Sequence, residues 1–320
     1  MFKKINLSVL SLLTVLILFG TVSYAWLSMS MINNLENITI TASAGNELEL
    51  SLDGESYDSS LPHVLMDQLL RQIRLDDVTS SDGINFQRGG IRSPGLAARN
   101  LEYLSFDIYF RTTRPENHVY LVNNVNHRVQ YDTSVPGTFV VSRGVSWSPR
   151  FDFQNGLTPN DKVYAGTPMM FYAADAVRIS AIELKNDRNP LDLRPEGAFV
   201  NMIYDPSENE DRGYGMPFGA YHYFELMTGN KLDVPLSKPN TIYKLTEFHE
   251  LNPYQALDNN SLIAELQPSG TYDDRQREYY TGKVRINIWV EGWDPDTFDC
   301  ILEDRIKIQL QFKVARAAII

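Results

Sequence analysis

The stretch Arg305-Ile-Lys-Ile-Gln-Leu-Gln-Phe-Lys-Val314 carries the most regular pattern in this chain of 320 residues. Every second residue from Ile306 to Val314 is apolar, and the residues between them are Lys or Gln. Because successive side chains of a β-strand lie on opposite faces, this alternation predicts a strand with one face in a hydrophobic core.

Further segments repeat the strand pattern and decide the fold class. The turn at Arg114–Asn117 makes a strand pair the simplest interpretation of the two segments around it. The sequence therefore predicts an all-β fold. The predicted strands are Tyr103–Thr112, His118–Val125, Val177–Leu184, Lys283–Glu291 and, as a hairpin or two successive strands around Gly45-Asn46, Ile38–Leu52.

Helical patterns are short. Pro62–Leu75 has apolar residues near helical spacing, and the first turn of a helix tolerates its proline. Tyr221–Thr228 followed by Gly229 fits a second helix ended by a glycine, although its aromatic residues fit a strand nearly as well.

The middle of the chain is rich in Pro, Gly, Asn and Asp, above all from Pro136 to Gly219. This composition is typical of long surface loops, and no second apolar core with its own linker is visible. We therefore predict one domain over residues 26–320, with a long loop insertion at about 134–275.

The first 26 residues resemble an export signal. Lys3 and Lys4 precede an apolar run, and the small residues Ser23 and Ala25 match what a signal peptidase reads, so cleavage would leave Trp26 at the new terminus. The alternative is an uncleaved hydrophobic helix over residues 5–26, which would be the only membrane contact. Both interpretations predict an extracellular or cell-surface location.

Charge and cysteine content narrow the class of protein. The formal net charge is -11, and such an acidic chain repels phosphate backbones, so nucleic acid is not an expected partner. Cys300 is the only cysteine and cannot form an intramolecular disulfide. We interpret it as a small buried hydrophobic residue.

Several stretches resemble the TasA/camelysin group of Gram-positive surface proteins. Gly20–Ser28 and Ile38–Leu50 resemble the leader and first strand of that group. Two further stretches are similar to uncharacterised clostridial relatives with this kind of leader, namely Tyr103–Arg111 with Val119-Tyr120-Leu121, and Val284–Asp296. Leu27 departs from the group, which usually has Phe there. The resemblance covers about a third of the chain. It implies a β-sandwich of jelly-roll or immunoglobulin-like type, processing by a dedicated signal peptidase, and a group that includes biofilm-fibre subunits.

Enzyme motifs are absent from the sequence. Some camelysin relatives have been called metalloproteases, but none of the five histidines, His63, His118, His127, His222 and His249, belongs to a His-Glu-x-x-His pair. Pro253 stands where the second ligand after His249 would be. Gly144–Ser148 lacks the second glycine of a nucleophile elbow. We therefore predict a protein that is not an enzyme and has no cofactor apart from calcium.

Calcium is the one metal that the sequence suggests. Two acidic clusters could supply oxygen ligands, although neither has the spacing of a calcium loop. Solvated turns are the other interpretation. The clusters are Glu291, Asp294, Asp296 and Asp299, and Asp205, Glu208, Glu210 and Asp211.

Trp289 and Trp293 flank the first cluster, and an exposed tryptophan beside carboxylates is also typical of a sugar site. The position of Trp289 between Ile288 and Val290 favours burial in the sandwich core instead.

Self-assembly is the function that these patterns favour. Residues Asn33–Ala44, with Ile38 and Ile40 alternating, are the best candidate for a strand added to the sheet of a neighbouring copy. The same segment is equally well interpreted as the first strand of its own sheet.

Two other functions stay open. One is a pilin-like filament subunit held together by its uncleaved N-terminal helix. The other is a membrane-anchored module that binds glycan or calcium through the Trp293 loop.

Overall fold

The computed structural model describes residues 35–43, 45, 47–90, 95–233 and 237–319. Within them the protein is mostly β, with 39% of residues in strands and two short α-helices, so the predicted all-β, sandwich-like class is confirmed. The strands are β1 (Leu35–Ala42), β2 (Leu48–Ser51), β3 (Asp77–Thr79), β4 (Gln87–Arg88), β5 (Leu104–Thr112), β6 (His118–Leu121), β7 (Phe139–Ser142), β8 (Val145–Trp147), β9 (Phe153–Gln154), β10 (Lys162–Val163), β11 (Met169–Phe171), β12 (Val177–Leu184), β13 (Asn201–Tyr204), β14 (Thr241–Ile242), β15 (Phe248–His249), β16 (Asn252–Ala256), β17 (Leu262–Glu265), β18 (Gln267–Tyr272), β19 (Glu278–Glu291) and β20 (Ile306–Ala315).

Sheet A contains the predicted C-terminal strand at its centre. Its order is β1-β20-β6-β17, and β7 also pairs with β20. The pairing of β1 with β20 is parallel, with Ile38 opposite Ile308 and Ile40 opposite Leu310. The first and last strands of the described chain are therefore neighbours in one sheet.

Sheet B is built around the long strand β19. β12 and β5 pair with it antiparallel on its two sides, β2 continues beyond β5, and β13 and β14 continue beyond β12. This topology decides between the two interpretations of residues 38–52, because β1 and β2 are successive strands in different sheets and not a hairpin. It corrects one prediction, since β5 and β6 also lie in different sheets and form no pair. Turn signals show where a strand ends but not which sheet the next strand joins.

The main core lies between the two sheets. From sheet A it receives Ile306, Ile308, Leu310, Phe312 and Val314, the residues that alternate in the sequence. From sheet B, the alternating residues of β5 and β19 enter it, and the rings of Phe110 and Phe312 meet edge to face at 5.2 Å.

A second, smaller core covers the other face of sheet B. Trp289 is fully buried there against Phe86 and Tyr103, together with Val78 and Ile203. The burial of Trp289 is as predicted, but its place is not, because Ile288 and Val290 enter the sandwich core while Trp289 lies on the opposite face.

The two helices lie close to where the sequence predicts them. Helix α1 spans His63–Leu70, shorter than the predicted Pro62–Leu75, and α2 spans Ala220–Thr228. Gly229 ends α2 in the left-handed conformation, with φ of +72°, and its N–H donates to Glu225 O over 2.8 Å. Neither helix is long and apolar enough to span a membrane, within the described residues. The short 3-10 helices are Asn126–Arg128, Pro159–Asp161, Ala173–Ala176, Glu196–Ala198, Glu210–Arg212 and Asp299–Glu303.

The segment predicted as a loop insertion, about 134–275, also supplies framework strands. β7 joins sheet A, while β12 and β13 lie inside sheet B. The N-terminal helix or signal predicted over residues 1–25 lies outside the described residues.

Candidate functional site

The acidic loop after β19 is the site that the sequence singled out for calcium. Glu291 and Asp294 are 1% and 0% exposed, whereas Asp296 is half-buried and Asp299 is exposed. Glu291 accepts hydrogen bonds from Trp289 Nε1 at 3.0 Å and from the Trp293 amide at 3.1 Å. The first three carboxylates therefore lie within the fold, and Asp299 lies apart from them.

Arg178 lies between Asp294 of this loop and Asp205, which follows β13. It comes from β12, opposite Trp289 in the antiparallel register, and is 2% exposed. Its Nη2 forms a hydrogen bond with Asp294 Oδ2. The same nitrogen lies 2.9 Å from Asp205 Oδ2 and forms an ion pair with it, but not a hydrogen bond. A guanidinium thus takes the place between the carboxylates where the sequence suggested a metal cation.

More carboxylates than guanidinium groups are buried around Arg178. Burial raises the pKa of Asp205 and of Glu291, and raises the pKa of Asp294 well above its usual range, despite the nearby guanidinium. For Arg178, burial alone lowers the pKa, but Asp205 and Asp294 outweigh it and raise the pKa. One guanidinium does not fully compensate several buried carboxylates, so the neutral form of these carboxyls is more favoured here than in water.

A second arginine engages the third carboxylate of the loop. Arg212 Nε donates to Asp296 Oδ2 over 2.9 Å, and its Nη2 bonds to the other oxygen of the same carboxylate. Arg212 Nη1 bonds to Asn155 O, which ties the loop to the segment after β9. This bidentate geometry fixes Asp296 as a structural acid.

The calcium prediction gains no support from this geometry. Among the described residues, no group of three or more His, Cys, Asp or Glu side chains is arranged to hold a metal ion. The second acidic run also spreads apart: Asp205 is buried beside Arg178, Glu208 bonds to Tyr204, and Glu210 pairs with Lys238. Calcium binding stays a prediction.

Asp299 lines a different feature, a cavity of about 300 Å³ between α2 and the acidic loop. The walls are mainly aromatic and apolar, with contributions from Trp147, Tyr221, Phe298 and Cys300. Trp293 stacks on Tyr221 with 6.1 Å between ring centroids and is partly exposed.

The predicted assembly strand contains β1. Ile38 and Ile40 are 1% and 0% exposed and enter the core of their own sandwich, as does Leu35. The single chain thus contains the arrangement that the alternative interpretation expects, a first strand in its own sheet. The processing residues Ser23, Ala25 and Trp26 lie outside the described residues.

The histidines do not converge. His222 Nδ1 accepts from the Gln154 amide at 2.7 Å, and His249 Nδ1 accepts from the Leu251 amide at 3.2 Å. Each of these two contacts is to a backbone amide and neither joins two histidines. The absence of hydrolase activity stays a prediction.

A scan against protein-family models finds no match, and searches of curated proteins and of solved structures find no similar protein. The resemblance to the TasA/camelysin group therefore stays an interpretation of the sequence stretches that carry it.

Arg178 is the residue of this site that sequence reasoning missed. One signal was available, since Val177–Leu184 contains a single basic residue in a strand that is mostly apolar. A long cationic side chain in a buried strand requires acidic partners, and each of the two acidic clusters supplies one, Asp205 and Asp294.

Proposed function

We propose that this chain is a non-enzymatic, extracellular structural protein that assembles into a cell-surface or biofilm-matrix fibre by exchanging β1 between copies. The observation that carries the proposal is the position of β1. It is the end strand of sheet A within the described chain, with only the short segment Ser59–Leu61 bonded to its outer edge. It precedes every other described element, and it pairs in parallel with the last strand. Such a strand can leave its sheet and enter another without rethreading the rest of the fold.

The energetics favour replacement of β1 over its loss. Leu35, Ile38 and Ile40 are each at most 1% exposed. Burial of three such side chains contributes roughly 5–9 kcal/mol, which is comparable with the stability of a whole domain, roughly 5–15 kcal/mol. A sandwich whose own β1 has left therefore needs an equivalent strand, and a second copy offers an identical one.

The connection between β1 and β2 suits exchange. Only residues 43–47 join Ala42 in sheet A to Leu48 in sheet B. Short hinge segments favour domain swapping. The reason is that a short connection between two sheets must bend sharply within one copy, whereas it can extend when the strand enters a neighbouring copy. Repeated exchange from one copy to the next is a head-to-tail contact and builds a fibre.

Export and surface location rest on the leader and on the resemblance to the TasA/camelysin group, which also suggests the jelly-roll or immunoglobulin-like type of sandwich. Cleavage after Ala25 would free the segment before β1 from the membrane. Calcium is not required by the proposal, and the partner is a second copy of the chain.

Disulfide trapping tests the exchange directly. Thr41 and Gln311 are register partners on β1 and β20 and lie on the polar face. We expect Thr41→Cys/Gln311→Cys, in a Cys300→Ser background, to form covalent ladders on a non-reducing denaturing gel when the assembled protein is oxidised, because the two cysteines then belong to different copies.

The matched control is Glu49→Cys/Arg111→Cys in the same background. These residues are register partners on β2 and β5, which stay within one copy under the proposal. The control should run as a monomer. A monomeric band for the Thr41/Gln311 pair in assembled protein, or purified native protein that never assembles, would overturn the proposal. Assembled protein that retains Lys3-Lys4 would instead favour a filament built on the N-terminal helix.

A further inference from the structure

A polar cleft of about 670 Å³ lies on the side of the molecule where four segments meet. They are the 3-10 turn Asn126–Arg128, the end of β7, the 3-10 helix Ala173–Ala176 and the turn after β13. No part of β1 lines it. The cleft is therefore independent of the strand on which the proposed assembly depends.

One edge of the cleft holds a pre-oriented carboxylate. Glu208 has φ of +56°, a left-handed conformation that non-glycine residues rarely adopt, and its side chain is exposed. The hydroxyl of the fully buried Tyr204 donates to Glu208 Oε1 over 3.1 Å. A strained backbone and a fixed carboxylate at a cleft are typical of a site built to meet a ligand.

Amide side chains hold this edge in place. Asn124 Nδ2 bonds to the Tyr204 hydroxyl and donates to Pro206 O over 3.0 Å. Asn126 Nδ2 donates to Pro206 O over 2.7 Å, while its Oδ1 accepts from the Val140 amide at 2.8 Å. The turn that carries Glu208 is thus bonded to the segment around Asn126 by side chains that themselves line the cleft.

The lining of the cleft also includes an exposed aromatic ring. Tyr172 is 41% exposed and lines the cleft. The buried carboxylate of Asp304 fixes the backbone beside it, since it accepts from the Ala173 amide at 2.9 Å and from the Gly144 amide at 2.8 Å. The exposed ring is therefore anchored at its base.

A second tyrosine carries an unused hydroxyl. Tyr131 lines the cleft, and its hydroxyl is buried without a hydrogen-bond partner among the described residues. Buried polar groups normally have partners, so this hydroxyl has unused capacity both to donate and to accept.

We infer that this cleft binds a neutral carbohydrate. Its walls offer carboxylate and amide acceptors, amide, guanidinium and hydroxyl donors, and an exposed ring on which the C–H face of a sugar can stack. The carboxylate of Glu208 offsets the charge of Arg143, so the cleft has no net positive charge to attract phosphate or carboxylate ligands. The largely polar lining likewise disfavours a wholly apolar ligand.

Saturation-transfer NMR and titration calorimetry test the inference with chitotriose, cellotriose, maltotriose and mannotriose, each at millimolar concentration. At least one trisaccharide should bind the folded protein. Tyr172→Ala and Glu208→Ala should each weaken that binding by about tenfold or more.

Matched controls separate the cleft from the rest of the surface. Tyr164 is 60% exposed outside the cleft, and Glu210 is an exposed acid two residues beyond Glu208. Tyr164→Ala and Glu210→Ala should bind as the unchanged protein does, and circular dichroism should show all four variants folded.

Three outcomes would overturn the inference. One is that none of the four trisaccharides binds. Another is that binding persists in both cleft variants, which would place the sugar elsewhere. The third is that a short basic peptide, and no trisaccharide, perturbs the resonances of Tyr172, which would assign the cleft to protein recognition.

Discussion

Arg178 Nη2 lies 2.9 Å from Asp205 Oδ2, and both residues are almost completely buried. The pair joins β12 to the turn after β13, while the bond from Arg178 to Asp294 adds the acidic loop. A charge buried this deeply is tolerated only with its partners present. The three segments therefore depend on one guanidinium.

Removal of that guanidinium should destabilise the fold in a pH-dependent way. We expect Arg178→Met to lower the free energy of unfolding by about 3–5 kcal/mol at pH 8, because it leaves buried carboxylates unpaired. The folded-state pKa values of Asp205 and Asp294 are raised, so stability is lost as pH rises above their unfolded-state value. The loss should therefore be smaller at pH 5, where these groups can hold protons. Urea denaturation at both pH values measures it.

A double variant provides the control. Arg178→Met/Asp294→Asn removes one of the stranded charges and should recover part of the loss at pH 8. Equal losses at the two pH values, or no recovery in the double variant, would contradict the proposed role of Arg178.

Calcium should have little effect on stability. The carboxylates of Asp294 and Asp296 already bond to Arg178 and Arg212, so no open set of oxygen ligands is available in this loop. We expect neither millimolar calcium nor a chelator to shift the Tm. A ligand that binds the folded state raises the Tm with its concentration, so a saturable rise with calcium would restore the predicted metal site.

The pattern of the β-strands could be predicted because their faces alternate. β12 spans Val177–Leu184 in both prediction and structure, and β20 differs from its prediction by one residue at each end. Strand alternation reports the polarity of each face of one strand. It contains no information on pairing, so the separation of β5 from β6 into two sheets could not be foreseen.

The candidate site was less predictable for a related reason. Trp289 and Arg178 lie on the outer face of sheet B, which the alternation pattern alone would leave in water. Phe86 and Tyr103, from the segment that precedes β5, cover this face and make it a second core. Irregular segments that cover a sheet from far along the chain leave no periodic pattern in the sequence. The partners of the acidic loop could therefore not be predicted from strand alternation.

Asp175 should make stability fall as pH rises. Asp175 keeps an exposed edge where it lines the cleft, but the protein packed around its carboxyl removes water from it, and this desolvation, reinforced by the nearby Asp296, raises the pKa of Asp175 to about 7 from its usual 3.8. Between these two values the folded state keeps a proton that the unfolded state has lost, so stability decreases with pH across this window. Asp175→Asn should match the unchanged protein near pH 4 and exceed it in Tm near pH 8.

Asp152→Asn is the control, because the pKa of Asp152 is shifted in the opposite direction. The Ala165 amide and then Lys162 lower the pKa of Asp152, so its contribution is present at neutral pH and lost on acidification. That variant should be slightly less stable than the unchanged protein at pH 7. If Asp175→Asn gains nothing at pH 8, the carboxyl of Asp175 is not destabilising when charged.

Cys300 should react slowly in the folded protein. Burial raises the pKa of its thiol to about 12, so almost no thiolate is present at pH 8. We expect a disulfide reagent to modify the native protein far more slowly than the same protein in guanidinium. Native modification as fast as that of an unfolded chain would show an open, ionised thiol.

The two glycines at the ends of α2 offer a matched test of how the acidic loop is held. Gly219 has φ of +63° and Gly229 has φ of +72°, so alanine is strained at both positions by roughly 1 kcal/mol or more. They differ in their surroundings. A Cβ at Gly219 would lie 2.2 Å from Pro295 O in the acidic loop, whereas a Cβ at Gly229 would meet nothing within 4 Å.

Gly219→Ala should therefore be the more damaging change. The clash forces Pro295 away from the helix, and the bond from the Ala220 amide to Pro295 O, 2.8 Å long, is lost with it. We expect Gly219→Ala to lower the free energy of unfolding by about 3 kcal/mol or more and Gly229→Ala by about 1–2 kcal/mol, measured by urea denaturation. Displacement of the loop should also change the fluorescence of Trp293, which stacks on Tyr221 of α2, in the first variant alone. Equal losses in the two variants would mean that contact between α2 and the acidic loop contributes nothing beyond backbone strain.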